Sequence, residues 1–379
     1  MNVTQPLSSF KRIVIKIGSA LIVDQQNGLK RSWLEILADD VAWLRSKGCE
    51  VCLVSSGAIA MGRMVLSDRL SRDTVLRLEE SQAAAAIGQI ELGHTYATMF
   101  KQHGQLASQI LLTLDDTRER TRYLNARSTI ETLLQWNSIP VINENDTVAT
   151  AEIRYGDNDR LAARVTSMIG ADLLILLSDV DGMYEQWPPE NPDAGPIERI
   201  PSVTPEVESM AGDAATVYSS GGMKTKVAAA KIATASGAAM VITSGNHLNP
   251  VRRLADGAAA TWFDPVASPV SDRKKWIAGQ INTVGTITID EGACLALGEG
   301  NSLLPAGVTA VNGIFVRGDT VAVHDSGGRE VARGLIAFDS CDAVSILGKR
   351  SEEIIQILGA GYRTEMIHRD DMVVHEAGK

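Results

Sequence analysis

The sequence predicts an α/β chain: a three-layer αβα sandwich around a mostly parallel central sheet, followed by a small mostly-β domain. Three observations carry this. Apolar strand-like runs alternate with helix-like runs over roughly the first 265 of 379 residues, as in a parallel sheet covered by helices on both faces. Apolar residues make up 45% of the chain and aromatics only 4%, so the core is aliphatic, with Ala, Val, Ile and Leu alternating with Gly. Past residue 265 the alternation gives way to short strands separated by turn signals.

FKRIVIKIGSAL (10–21) reads as a strand ending in Gly18-Ser19. RSWLEILADDVAWLRSKG (31–48) has apolar residues at helical spacing and a Gly stop. EVCLVSSGAIAMG (50–62) is a strand that passes through Ser-Ser-Gly into a helix, and residues 73–104 form a long Ala-rich helical region. QLASQILLT (105–113) is a strand, RYLNARSTIETLLQWN (122–137) a helix and IPVINEN (139–145) a strand. The pairs NDRLAARVTSMIG with ADLLILLSDVDG (158–182) and MKTKVAAAKIATASG with AAMVITSG (223–245) each read as helix then strand. FDPVASPVSDRKKWIAGQINTVG (263–285) carries Pro, Ser and charge and reads as a linker with a short helical piece. GTITIDEGACLALG and the runs around the DSGGRE turn (325–330) read as short strands, and SEEIIQILG (351–359) as a closing helix. No 20–50 residue repeat is present.

Length and charge bound the function. The length of 379 residues suggests two or three domains. A net charge of −10 argues against a general nucleic-acid binder, which needs a basic surface. No apolar run reaches a membrane span, and MNVTQPLSSF has neither a charged n-region nor an apolar h-region, so a cytoplasmic protein is expected. Cys49 and Cys52 form a C-x-x-C inside a strand, where residues three apart face opposite sides, so they read as core cysteines and not as metal ligands. The six histidines are scattered and fall near no motif.

The polar clusters follow strand ends, where open α/β sheets bind ligands. YSSGGMKTK (218–226) is a Gly-Gly loop opening a helix and carrying Lys224 and Lys226. Backbone N–H groups and a helix N-terminus favour an anion there, although Ser-Gly-Gly is also an ordinary turn. The spacing is not that of a Walker A loop. Lys16 lies inside an apolar strand, costly unless it pairs, binds an anion or snorkels from the strand end. LVSSGAIAMG (53–62) makes a second anion nest or a plain N-cap. Asn143-Glu144-Asn145-Asp146 and Asp157-Asn158-Asp159 are too dense for one cap. Gathered lysines need a carboxylate to orient them, and an α-ammonium substrate needs one to bind. Together the parts fit phosphoryl transfer, which works through positioning and charge neutralisation. No His-Arg-Asp or Asp-Phe-Gly signature of a protein kinase is present. No obvious general base is present either, which suits a carboxylate nucleophile already ionised at neutral pH.

Through IKIGS, SSGAIAMGR, LLTLDD, RYLNAR, IPVINENDTVATAEI, GDND, LLSDVDGMY and SGGMKTK, in that order, the first 265 or so residues resemble the amino acid kinase family, in its branch acting on glutamate. Residues 284–362 resemble a PUA domain, through ITIDEGA and NSLLPAGV. The resemblance implies a kinase domain over 1–265, a linker over 266–283, a PUA-like domain over 284–362 and a tail over 363–379. It implies ATP-dependent phosphorylation of the L-glutamate side-chain carboxylate, with Mg²⁺ carried by the nucleotide phosphates and no metal site on the protein. It also implies a step toward proline, with proline as feedback inhibitor; a homo-oligomer, dimer or tetramer, is expected. Lys16 and Lys226 are expected to stabilise the transferring phosphoryl group and Asp159 to hold both lysines. Ser56, Gly57, Asp146, Asp157 and Asn158 are expected at glutamate. Lys16, Gly18, Ser178, Asp179, Ser220, Gly221, Gly222, Met223, Lys224, Thr225 and Lys226 are expected around ATP, Lys224 with no catalytic role. Ser55, Ser178 and Ser220 stand where the family often has Thr and keep the hydroxyl. EQWPPENPDAG (185–195), near the expected adenine site, is less typical.

Two other readings compete. An aspartate, acetylglutamate or carbamate kinase would share the fold, but the PUA-like tail and GDND argue against it. An RNA-binding regulator acting through the PUA-like domain is opposed by charge: residues 285–379 hold eight Lys and Arg against fourteen Asp and Glu, a net of −6.

Overall fold

In the computed structural model, residues 6–24, 28–71, 74–148, 158–185, 195–211, 222–266, 283–359 and 364–375 are described. Two units emerge, 1–269 and 270–379. In the first, β1 (Arg12–Ile17) is followed by a short turn of helix α1 (Ser19–Ile22), the strand pair β2 (Val23–Asp24) and β3 (Gly28–Leu29), and α2 (Arg31–Ser46). Then come β4 (Glu50–Val54), α3 (Ala58–Val65), α4 (Leu78–Gln102), β5 (Leu106–Leu112), α5 (Arg120–Gln135) and β6 (Ser138–Glu144). The unit continues with α6 (Asn158–Ile169), β7 (Leu173–Ser178), β8 (Arg199–Ile200), α7 (Pro205–Met210), α8 (Met223–Ala235), β9 (Ala239–Ser244), α9 (Pro250–Ala255) and β10 (Ala260–Phe263).

Eight strands form one sheet in the order β5-β6-β4-β1-β7-β9-β10-β8. Neighbours are parallel except β9 and β10. On one side of β1 lie β4, then β6, then β5 at the edge; the chain then crosses to the other side with β7 and β9. The strand order reverses beside β1, which makes its C-terminal end a crevice.

Alternation along the strands assigns each side chain to a layer. Ile13, Ile15, Leu53, Ile175 and Leu177 face the layer of α2 and α4, among Leu34, Leu37, Leu92 and Phe100. Val14, Cys52, Val54, Leu174 and Leu176 face the layer of α5, α6 and α8, among Ile130, Leu161, Val165 and Val227. Lys16 keeps step with Val14, so the same alternation directs it toward α6 and α8. Cys49 and Cys52 lie in opposite layers, as their spacing on the strand predicts, and both are free thiols.

Helices α3 and α4 cross with backbone against backbone. A Cβ on Gly62 would sit 1.8 Å from the carbonyl oxygen of Ala84, and one on Gly88 would sit 1.9 Å from that of Ala58. Gly88→Ala is therefore expected to destabilise the first unit by about 2 kcal/mol or more through overpacking, although Ala favours a helix by about 1 kcal/mol. Gly93→Ala is the control, since its Cβ would meet only the Gln109 side chain at 3.5 Å. Urea midpoints of the two variants check this: the first falls, the second holds or rises.

The second unit contains β11 (Gly285–Ile289), α10 (Glu291–Gly298), β12 (Val308–Gly313), β13 (Thr320–His324), β14 (Glu330–Leu335), α11 (Ser340–Ser345), α12 (Ser351–Leu358) and β15 (Met372–Val374). Its sheet runs β12-β11-β13-β14-β15. The β13–β14 hairpin closes at the predicted DSGGRE turn. Two expectations need correction. GTITIDEGACLALG is not all strand: Asp290 accepts a hydrogen bond from the Ala293 N–H at 2.7 Å and caps α10 over its second half. The stretch after 362 is not a mere tail: β15 pairs with β14, and Met366, Ile367 and Met372 are in the core. Most of the expected linker, 267–282, lies outside the described residues.

Candidate active site

Parallel strands deliver their C-terminal ends to one edge of the sheet. β1 ends in Ile17 and turns at Gly18, β4 runs into Ser55-Ser56-Gly57, β6 into Asn145-Asp146, and β7 into Ser178-Asp179. Gly57 has φ of +96° and opens α3, a left-handed conformation that glycine adopts without strain. A Cβ there would lie 3.8 Å from the Ser19 Cα, so the Gly18-Ser19 and Ser56-Gly57 turns adjoin. The N-termini of α6 and α8 bring Asn158-Asp159 and Gly222 to Lys226.

The centre is a buried ion triad. Lys16 Nζ lies 2.6 Å from Asp159 Oδ1, and Lys226 Nζ lies 3.3 Å from Asp159 Oδ2. Thr225 Oγ1 donates to the same Oδ2 at 2.9 Å. Exposure is 8% for Lys16, 5% for Lys226 and 1% for Asp159, so the charges are largely withdrawn from water. Burial alone would push the Asp159 carboxyl up, but the two ammonium groups override it and hold the group well below the usual carboxylate range. Two ammonium groups meet this one carboxylate beside the N-termini of α6 and α8. Such a place favours an anion.

A second network adjoins the first through the neighbouring residue. Asn158 Nδ2 donates to Ser55 O and to Ser56 Oγ, both at 2.8 Å, and to Asn143 Oδ1 at 3.1 Å. Ser55 Oγ and Tyr96 OH are hydrogen-bonded at 2.9 Å beneath it. Asp146 is half-buried on the turn after β6, and burial pushes its carboxyl up to about 6. On the far side of β1, Ser178 Oγ donates to Asp179 Oδ1 at 2.9 Å, and Asn246 Nδ2 donates to the Asp179 carbonyl at 3.0 Å.

Of the predicted site residues, Lys16, Asp159, Thr225 and Lys226 are joined directly, and so are Ser56 and Asn158. Gly18, Gly57, Asp146, Ser178, Asp179, Gly222 and Met223 lie at strand ends or helix starts, and Lys224 is exposed. Asp157, Ser220 and Gly221 lie outside the described residues. Sequence reasoning passed over Asn143 as an individual, Tyr96, Asn246 and Gln89. Only Asn143 left a signal, its place in the amide-rich cluster.

The sequence pattern of the amino acid kinase family matches residues 11–244, and that of the PUA domain matches 285–358. A glutamate 5-kinase of Rhizobium johnstonii is 56% identical over 374 residues, covering 99% of this chain and 95% of its own. One of Sinorhizobium fredii is 57% identical over 370 residues, covering 98% and 93%. One of Brucella anthropi is 57% identical over 371 residues, covering 98% and 97%. With this similarity along nearly its whole length, the chain belongs to the amino acid kinase family, in its glutamate 5-kinase branch, and carries a PUA domain after the kinase domain.

Proposed function

We propose that the chain transfers the γ-phosphoryl group of Mg·ATP to the side-chain carboxylate of L-glutamate, giving ADP and L-glutamyl 5-phosphate. The observation that carries this reading is the buried Lys16–Asp159–Lys226 triad at the strand C-termini. A carboxylate nucleophile is ionised at neutral pH and needs no proton removed. The work left to the protein is alignment and neutralisation of charge on the moving phosphoryl group. Lys16 and Lys226 do the second, and Asp159 aims them. Backbone amides at Gly18 and Gly57 reach the phosphates and the acceptor carboxylate. Ser56, Asn158 and Asp146, with Asp157 beside them, grip the glutamate zwitterion. Ser178, Asp179 and residues 220–226 hold the nucleotide, which brings its own Mg²⁺. Proline, as the end product's amino acid, competes at the Ser56–Asp146–Asn158 pocket. The expected setting is the cytoplasm; among the described residues no helix is long and apolar enough to cross a membrane.

An ATP-dependent hydroxamate assay over glutamate, aspartate, acetylglutamate and carbamate tests the substrate. Glutamate is expected to dominate; equal turnover of another acceptor overturns the assignment.

Asp146 gives the reading a pH signature. Its ionised form pairs with the α-ammonium, and its carboxyl in the free protein is pushed up to about 6. As pH falls through that value the group protonates, and kcat/KM for glutamate should drop about tenfold per unit below it. Asp146→Asn should raise the glutamate KM, leave the ATP KM nearly unchanged and flatten this limb. Protonation relieves a buried charge, so the same fall in pH does not weaken the fold at this residue. An acid limb that persists in Asp146→Asn assigns it elsewhere.

A chain cut near residue 270 keeps every proposed site residue. It is expected to fold, to phosphorylate glutamate and to remain at least partly sensitive to proline, while its mass in solution or the response of that mass to proline changes. A soluble, folded but inactive product would place part of the active site in the second unit.

A further inference from the structure

Gln89 is a half-buried polar side chain on α4 that the mechanism above does not use. Its Oε1 accepts a hydrogen bond from Asn143 Nδ2 at 2.7 Å. Asn143 is 2% exposed, and its Oδ1 accepts from the Glu144 N–H at 2.9 Å and from Asn158 Nδ2 at 3.1 Å. The amide of Asn143 is thereby fixed: its nitrogen faces Gln89 and its oxygen faces Asn158. That oxygen, with Ser55 O and Ser56 Oγ, draws the Asn158 nitrogen inward. Two consequences follow for the pocket. The Ser56 oxygen accepts from Asn158, so its own proton is left to donate outward. The Asn158 Oδ1 is buried and has no hydrogen-bond partner among the described residues. A buried amide oxygen without a partner is costly, and a ligand N–H can relieve it.

We infer that Gln89 is a positioning residue for the amino-acid substrate: through Asn143 it sets the amide polarity of Asn158, so that Asn158 Oδ1 receives the α-ammonium and Ser56 donates to a carboxylate. This rests on the proposed glutamate reading. The height of Gln89 is itself set by Gly88, whose contact with Ala58 locks α4 against the helix that starts at Gly57. The turn at Asp146–Val148 packs on α4 as well, so one helix braces both acceptors of the ammonium group.

The test uses the full chain and three variants. Gln89→Leu keeps the volume and removes the acceptor. Gln89→Glu keeps an acceptor at the same reach. Asn158→Ala removes the group through which Gln89 acts. Gln89→Leu should raise the glutamate KM about tenfold, the size expected for one lost hydrogen-bond link. Its kcat and ATP KM should stay close to the parent, while its melting temperature falls modestly, because the buried Asn143 Nδ2 loses its acceptor. Gln89→Glu should stay within about threefold of the parent KM, because Asn143 donates to it. Gln89→Leu added to Asn158→Ala should change the KM little further, as residues in one relay are not additive. The relay is overturned by an unchanged KM in Gln89→Leu, by equal shifts in both substrates, by Gln89→Glu as impaired as Gln89→Leu, or by additive effects with Asn158→Ala. A parent chain that turns over a different acidic amino acid refutes glutamate but leaves the same comparison to be read on that substrate. A parent that binds no amino acid refutes both.

Discussion

Lys226→Ala is expected to lower kcat by about 10²–10³, the loss typical of removing one charge contact made in the transition state. The glutamate KM should move far less, because neither lysine is assigned to the zwitterion. Lys16→Ala should behave alike, since both ammoniums meet one carboxylate, at 2.6 and 3.3 Å. The experiment is steady-state kinetics in both substrates. A variant with near-normal kcat loses its place in the phosphoryl-transfer step. Removing one lysine does not leave Asp159 bare, since the other remains, so the fold should survive and the loss can be read as catalysis.

Asp159→Asn is expected to damage both fold and function. It leaves two buried ammoniums facing each other without the carboxylate between them. Breaking a buried charge network from one side typically costs about 3–5 kcal/mol. Activity should fall at least as far as in either lysine variant, because both lysines lose their aim. The pH dependence has a definite sign. The folded carboxyl is held below its ordinary value, so its stabilising effect is complete above the unfolded pKa, near 4. It is lost only as pH falls further, toward the depressed folded value. The stability gap between parent and Asp159→Asn should therefore be constant from neutral pH down to about 4 and narrow below it. Urea unfolding at stepped pH measures the gap. A gap that widens in acid would mean that Asp159 is not the charged centre of the triad.

The strands that build the site were the most legible part of the sequence. β1, β4, β6 and β7 are short apolar runs that end in Gly, Ser, Asn or Asp, and their burial on both faces makes such runs continuous. Lys16 stood out because a lysine inside such a run has few structural explanations. Gln89 did not, because its partner lies 54 residues away and a lone Gln on a helix resembles a solvated face. The antiparallel edge, β10 and β8, was equally hidden: β8 has two residues and no periodicity to read. α10 departs from the expected strand because eight residues with an internal Gly suit a strand and a turn as well as a short helix, and the Asp290 cap decides for the helix. β15 leaves no sequence signal because three residues become a strand only when β14 offers an open edge.

The crossing of α3 and α4 limits how a pocket of this kind can be remodelled over generations. Backbone touches backbone at Gly62 and Gly88, so at these two points no side chain lies between the helices to be trimmed or enlarged in small steps. The tilt of one helix on the other is effectively frozen. A lineage that needs to admit a longer or shorter amino acid cannot shim the helices apart by a methyl group at a time. It has to change the residues that the strands carry to the rim, or the turn at Asp146, where substitutions leave the crossing untouched.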